Sequence, residues 1–182
     1  NGTLALGNDG NLIYTPNPNF AGPDTFEYTI SDSNGSISTA PVTITVNEVN
    51  DPPALDPSQL PPALSDGPGS VVNLVDSEGF TLDLGGAFGD LDQDTLKFSA
   101  PGLPVGLVID PNTGSISGQV DPSGSQGGEG MDGVHNVVIT VSDGRGGTTD
   151  FPVQFNVINP LPVAVDDVFT VDEDSVLMVN LP

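Results

Sequence analysis

The 182 residues include no cysteine, no tryptophan, one histidine and only two basic side chains, Lys97 and Arg145. Without cysteine there are no disulfides, thiolate zinc ligands or cysteine nucleophiles, so stability must come from packing or from metal. Twenty-five acidic residues leave a formal net charge of −23, a surface that repels nucleic-acid phosphates and anionic membranes. No apolar run approaches the ~20 residues of a membrane span, and residue 1 opens on no signal peptide, as expected of an excised piece. Neither nucleic acid nor membrane insertion is therefore expected. His135 is the lone histidine, and nothing in the sequence draws it into a Ser-His-Asp set. With no tryptophan, and with Tyr28 assigned to a core face, Tyr14 is the aromatic left for a sugar platform. The chain is expected not to be an enzyme.

What is present points to β-structure. Twenty-three glycines and 18 prolines argue against long helices and for many turns. Alternating apolar and polar residues predict strands at Thr3-Leu6, Leu12-Thr15, Phe26-Ile30 and Val42-Val46, with turns at Asn8-Asp9-Gly10 and Asn34-Gly35. Phe26, Tyr28 and Ile30 share one face, and Val42, Ile44 and Val46 another, so each strand should have a buried and a wet side. Further strands are predicted at Phe80-Leu84, Leu96-Ser99, Leu107-Ile109, Ser115-Ser117, Val137-Val141 and Phe151-Val157, the last with Pro152 at a sheet edge.

Acidic and amide side chains gather at a few places. Glu48, Asn50 and Asp51 fall within four residues and run into Pro52-Pro53, where the prolines limit the backbone so that the oxygens converge at small entropic cost. This heptad is either a stiff cation-binding joint or an acidic, solvated loop. Asp90, Asp92 and Asp94 alternate on a segment expected to be extended, which puts three carboxylates on one side. It is not an EF-hand loop, because the sixth position is Thr95 and the twelfth Pro101. Asp143 and Asp32 end strands at turns, where an Asx turn and metal ligation are both open readings. Carboxylates about 4 Å apart repel by ~1 kcal/mol in water and ~4 kcal/mol at an effective dielectric near 20, so clusters favour a divalent cation. The run 127–135 matches a calcium-binding nonapeptide once, and a single unstacked copy is expected to be a glycine loop.

The run from Gly10 through Tyr14-Thr15-Pro16-Asn17-Pro18-Asn19-Phe20 to Asp24-Thr25-Phe26-Glu27-Tyr28-Thr29-Ile30-Ser31-Asp32 resembles the C-terminal half of a bacterial cadherin-like repeat. Gly102-Leu103-Pro104-Val105-Gly106-Leu107 through Asp110-Pro111-Asn112-Thr113-Gly114-Ser115-Ile116-Ser117-Gly118 resembles the signature of dystroglycan-type cadherin-like domains, and Ala164 to Ser175 the opening of another bacterial repeat. The resemblance implies an all-β chain of tandem Ig/cadherin-like Greek-key sandwiches joined by short acidic linkers. Residues 1–53 would be the end of one repeat, 54–160 a complete sandwich, and 161–182 the first strands of the next.

It also implies calcium. The first joint would be held by Glu48, Asn50, Asp51, Asp90, Asp92, Asp94 and Asp143, although Glu48 stands where cadherins usually carry Asp and Pro52 follows Asp51 directly. Asp32 would serve a preceding joint, Glu78 would reach down to the following linker, and Glu173 would be the copy of Glu78 in the third module. The second joint, Asn156 to Pro160, has lost its acidic residues, so Asp166 and Asp167 just beyond it are its candidate ligands and weaker or absent metal is expected there. Such proteins are large secreted adhesins of the repeats-in-toxin type at the bacterial surface. The partners implied are neighbouring repeats of the same chain, with head-to-tail self-association through 161–182 and a polysaccharide or cell-surface ligand as further candidates. A calcium-braced adhesive spacer is the expected role, and a calcium-dependent carbohydrate-binding module the alternative.

Overall fold

The computed structural model describes residues 1–128 and 132–160, together with Thr170, Glu173 and Met178. Among the described residues the chain is strand, turn and loop, broken only by short 3-10 turns. Asp166 and Asp167 lie outside the described residues.

Residues 2–46 make two antiparallel hairpins. Strand β1 (Gly2–Leu6) pairs with β2 (Leu12–Pro16), and β3 (Gly22–Ser31) with β4 (Ile37–Val46). Gly10 and Gly35 turn them at φ of 83° and 86°, where a Cβ would be strained. The strand faces expected to be buried are not. No residue in 1–50 is fully buried; Phe26 is half-buried, and Tyr28 and Ile30 are 43% and 61% exposed. Alternation decides which side chains share a face, but burial needs a second layer over that face. Each hairpin here is a separate two-stranded sheet.

Residues 54–158 supply both layers. Strand β5 (Ala54–Leu55) pairs with β8 (Phe88–Gly89). Strands β7 (Gly79–Asp83), β10 (Leu107–Ile109) and β11 (Ser115–Gln119) form one sheet in the order β10-β11-β7. Strands β6 (Ser70–Val75), β9 (Lys97–Ser99), β12 (Val134–Ser142) and β13 (Thr148–Ile158) form the other, in the order β6-β13-β12-β9, with β6 parallel to β13. The sequence reading missed β6, although Ser70, Val72 and Leu74 alternate inward.

The two sheets enclose Leu64, Leu82, Leu84, Ile116, Val120, Val137, Ile139, Val141 and Phe155, all under 5% exposed. Phe88 meets Phe98 and Phe151 edge-to-face at centroid distances of 6.1 Å, and Phe80 meets Phe155 at 6.2 Å, the geometry aromatic quadrupoles favour. Pro152 is not on an edge strand as expected: β13 lies between β6 and β12. Its carbonyl accepts from Gly69 N at 2.7 Å, on the β6 side and just before β6 begins at Ser70. In a strand the missing N–H points the same way, so no ladder bond is lost.

Phe151→Ala should lower the stability of the sandwich by about 3–5 kcal/mol through the cavity it leaves. Ile30→Ala should change it by less than about 0.5 kcal/mol, since that side chain is largely in water. Urea unfolding of the two variants would check the contrast.

Candidate metal centre

Beyond Val46 the backbone of Asn47–Pro53 has no strand pairing, yet the sandwich holds its second half closely. Asn50 Nδ2 donates to Asp143 Oδ2 at 2.6 Å, and Asp51 N to Asp92 Oδ2 at 2.7 Å. Pro53 is buried and its carbonyl accepts from Thr149 Oγ1. A Cβ on Gly147 would collide with Asp143 Oδ2 and lie 2.8 Å from Pro52 Cα, so glycine there is what lets the linker approach.

Asp90, Asp92 and Asp94 converge, but not by strand alternation. At ~3.3 Å per residue an extended segment would spread i and i+4 over ~13 Å. Instead the segment turns: Asp90 Oδ1 accepts from the backbone N–H of Asp92 at 2.9 Å and of Asp94 at 3.2 Å, with Gln93 at φ 64°. One carboxylate oxygen from each of the three then lies within 4.8 Å of the others, and all three residues are half-buried. Two oxygens on one calcium at 2.3–2.6 Å are at most about 5 Å apart, so this spacing fits a single ion.

Asn50 Oδ1, Asp90 Oδ2 and Asp94 Oδ2 are buried and have no hydrogen-bond partner. Buried oxygens without partners are costly, and these are the hard, anionic or amide type that a divalent cation such as calcium takes. Asn50, Asp90 and Asp94 would hold it, with Asp92 beside them.

Asp143 ends β12 in a turn. Its Oδ1 accepts from Arg145 N at 2.7 Å and Gly147 N at 3.0 Å. The Asn50 amide above all, with these backbone N–H groups, holds its carboxyl below the usual carboxylate range against the opposing effect of burial. The Asx-turn reading thus describes Oδ1, while Oδ2 joins the linker. Arg145, outside the candidate set read from sequence, places Nε 2.9 Å from Asp94 Oδ1 and Nη1 3.5 Å from Glu48 Oε2. Its signal was its rarity among 25 acids.

The other candidates are elsewhere. Asp32 lies in the β3–β4 turn, at the opposite end of that hairpin from Gly22 and Val46. The N–H groups of Ser36 and Asn34 hold its carboxyl below the usual range, so it is an Asx turn in this structure. Glu78 is exposed and follows β6, whose last residue Val75 pairs with Ile158, so it lies at the end of the sandwich away from Asp143. Glu173 is exposed in a turn. Near Glu78 the reading also missed Asp76, which is 7% exposed and accepts from Ser125 N and Oγ at 3.1 and 2.6 Å. That contact ties down the loop before β12. The nonapeptide run falls partly outside the described residues and ends at His135 in β12, whose ring faces Gly124 O at 3.2 Å.

Gly147→Ala removes no charge, yet it should push the linker off the sandwich. The expected outcome is faster amide hydrogen exchange at Asp51 with the core amides of β12 unchanged.

Among solved structures, domains EC22-24 of mouse cadherin-23 superpose with a TM-score of 0.58 at 18% identity, over 87% of this chain and 50% of that one. Extracellular cadherin domains 1-5 of protocadherin gamma B2 give 0.53 at 15%, over 87% and 30%. A protein described as a putative alpha-galactosidase/melibiase from Bacteroides fragilis gives 0.39 at 23%, over 58% and 17%. The chain therefore spans half or less of the length of each, and the two cadherin likenesses establish the fold. No curated protein matches the sequence, and among the described residues no helix is long and apolar enough to cross a membrane. The model of the family described as "Bacterial Ig domain" matches residues 1–45. The model described as "Putative Ig domain" matches residues 61–158, more than half of the chain, which belongs to that family, in tandem with the bacterial Ig segment before it.

Proposed function

We propose that this chain is a non-enzymatic structural segment of a large secreted bacterial surface protein, and that calcium braces its joint at residues 47–53 for adhesion or surface spacing. The observation that carries the reading is the set of three buried, unpartnered oxygens, Asn50 Oδ1, Asp90 Oδ2 and Asp94 Oδ2, one from the linker and two from the sandwich. An ion shared by them cross-links linker and module. Without it the carboxylates repel and the linker is held by hydrogen bonds and the Arg145–Glu48 ion pair. Extracellular modules bind calcium at roughly 10⁻⁴–10⁻³ M, so the brace engages outside the cell.

Calorimetric titration should find calcium uptake that an Asp90→Ala/Asp92→Ala variant loses, with small-angle scattering changing from an extended to a bent or flexible shape. No uptake at millimolar calcium sinks the proposal, and unchanged uptake in the variant moves the ion elsewhere.

One observation favours a second reading, calcium-dependent carbohydrate binding: Tyr28, 43% exposed on β3, offers a ring to a sugar face. Retention on insoluble polysaccharide that is lost in chelator would favour it over the spacer. Self-association belongs to the same proposal. Leu6, Leu12, Ile30 and Ile37 are 50–73% exposed on residues 1–46, apolar side chains on two separate hairpins that residues 161–182 of a second copy would partly cover. Gel filtration should then show concentration-dependent dimers or larger species that disappear on truncation to 1–160; equal, monomeric elution of both chains rejects the pairing.

A further inference from the structure

We propose that Arg145 is a resident cation of the joint, tying the linker to the sandwich where a second divalent ion would otherwise sit. The joint then takes up one divalent ion and keeps part of its order without any. The stoichiometry rests on the calcium reading above; the tie rests on the ion pairs alone.

Six carboxylates surround the joint: Glu48, Asp51, Asp90, Asp92, Asp94 and Asp143. Of the two basic side chains in the protein, Lys97 donates to Asn112 Oδ1, leaving Arg145 as the positive side chain among these acids. Its placement is built rather than incidental, because its backbone N–H is fixed at 2.7 Å by Asp143, the residue that also receives the linker amide of Asn50. From there the guanidinium reaches Asp94 of the sandwich with Nε and Glu48 of the linker with Nη1. A planar fork can face two carboxylates at once, which a lysine ammonium does less well.

Asp94 is divided by this contact. Its Oδ1 is taken by Arg145 at 2.9 Å, while its Oδ2 is buried and unpartnered, left for the candidate ion. A second divalent ion bridging Asp94 and Glu48 would need Oδ1 and the space the guanidinium fills. The two contacts are unequal. Asp94 is 12% exposed and Glu48 44%, so the pair with Asp94 is the less screened one and the reach to Glu48 the salt-sensitive one.

Because the chain has no cysteine, spin labels can be placed at Glu27→Cys and Val138→Cys, both exposed, and the distance between modules measured by pulsed resonance. In EDTA, Arg145→Gln should broaden that distribution relative to the parent. In calcium, calorimetry should find one ion per parent chain and two per Arg145→Gln chain, and Arg145→Lys should restore one ion while only partly narrowing the EDTA distribution. An unchanged width in EDTA, two ions on the parent, or one ion on Arg145→Gln would each overturn the inference. A parent chain that takes up no calcium would defeat the calcium reading instead, and the tie would then stand or fall on the EDTA width. Unfolding in urea at the parent midpoint would show that the variants remain folded, as the 54% exposure of Arg145 leads one to expect.

Discussion

Like charges brought together in a half-buried place must be neutralised or hydrogen-bonded, and at this joint most of the surrounding structure serves that requirement. Three aspartates within 4.8 Å repel by ~1 to ~4 kcal/mol per pair depending on the local dielectric. Backbone donors offset part of this. Asp90 Oδ1 takes two amides of its own turn, Asp92 Oδ2 takes the amide of Asp51, and Asp143 takes two amides and the Asn50 side chain. Arg145 takes Asp94 Oδ1. The buried oxygens left over, Asp90 Oδ2, Asp94 Oδ2 and Asn50 Oδ1, have no partner. The fold thus solves the charge problem everywhere except where an ion would complete it.

The rest of the molecule divides into a part that can hold such a site and a part that is held. Residues 54–158 have two facing sheets and a continuous core from Leu64 to Val157, so the Asp90 turn and the Asp143 turn are fixed relative to one another. The hairpins of residues 2–46 have no fully buried side chain. They connect to the sandwich through the linker, which meets it at Asp92, Asp143, Arg145 and Thr149. Mechanical coupling along the chain passes through a handful of polar contacts and one small glycine.

Much of this was legible in the sequence, and the reasons for the rest are physical. Alternation found the strands that line a core, and residue chemistry singled out Asp90, Asp92 and Asp94, which the structure brings together. It did not find why three aspartates meet, because turn geometry depends on Asp90 accepting two amides and on Gln93 at positive φ, neither of which periodicity records. It overstated the burial of Tyr28 and Ile30, because a pattern specifies a face and not what covers it. It misplaced Pro152 at an edge, because where a parallel neighbour begins is a property of the assembled sheet. Arg145 escaped because its role comes from a contact across 97 residues to Glu48.

The candidate ligands come from both linker and sandwich, Asn50 from one and Asp90 and Asp94 from the other. Asp90 follows directly on β8, and β8 pairs with β5, which begins at Ala54 immediately after the linker prolines. The same short pairing therefore brings linker and acidic turn to one end of the module. A cation held by Asn50, Asp90 and Asp94 would stabilise that pairing as well as the joint, since it would bind the docked arrangement in preference to the separated one. Conversely, loosening β5 from β8 would lower the apparent affinity for such an ion in proportion to the docked fraction it removes. On the calcium reading, the stiffness of the joint and the seating of the sandwich's first strand would be linked quantities, and a chain of such modules would stiffen or relax at each joint according to how well its own first strand is seated.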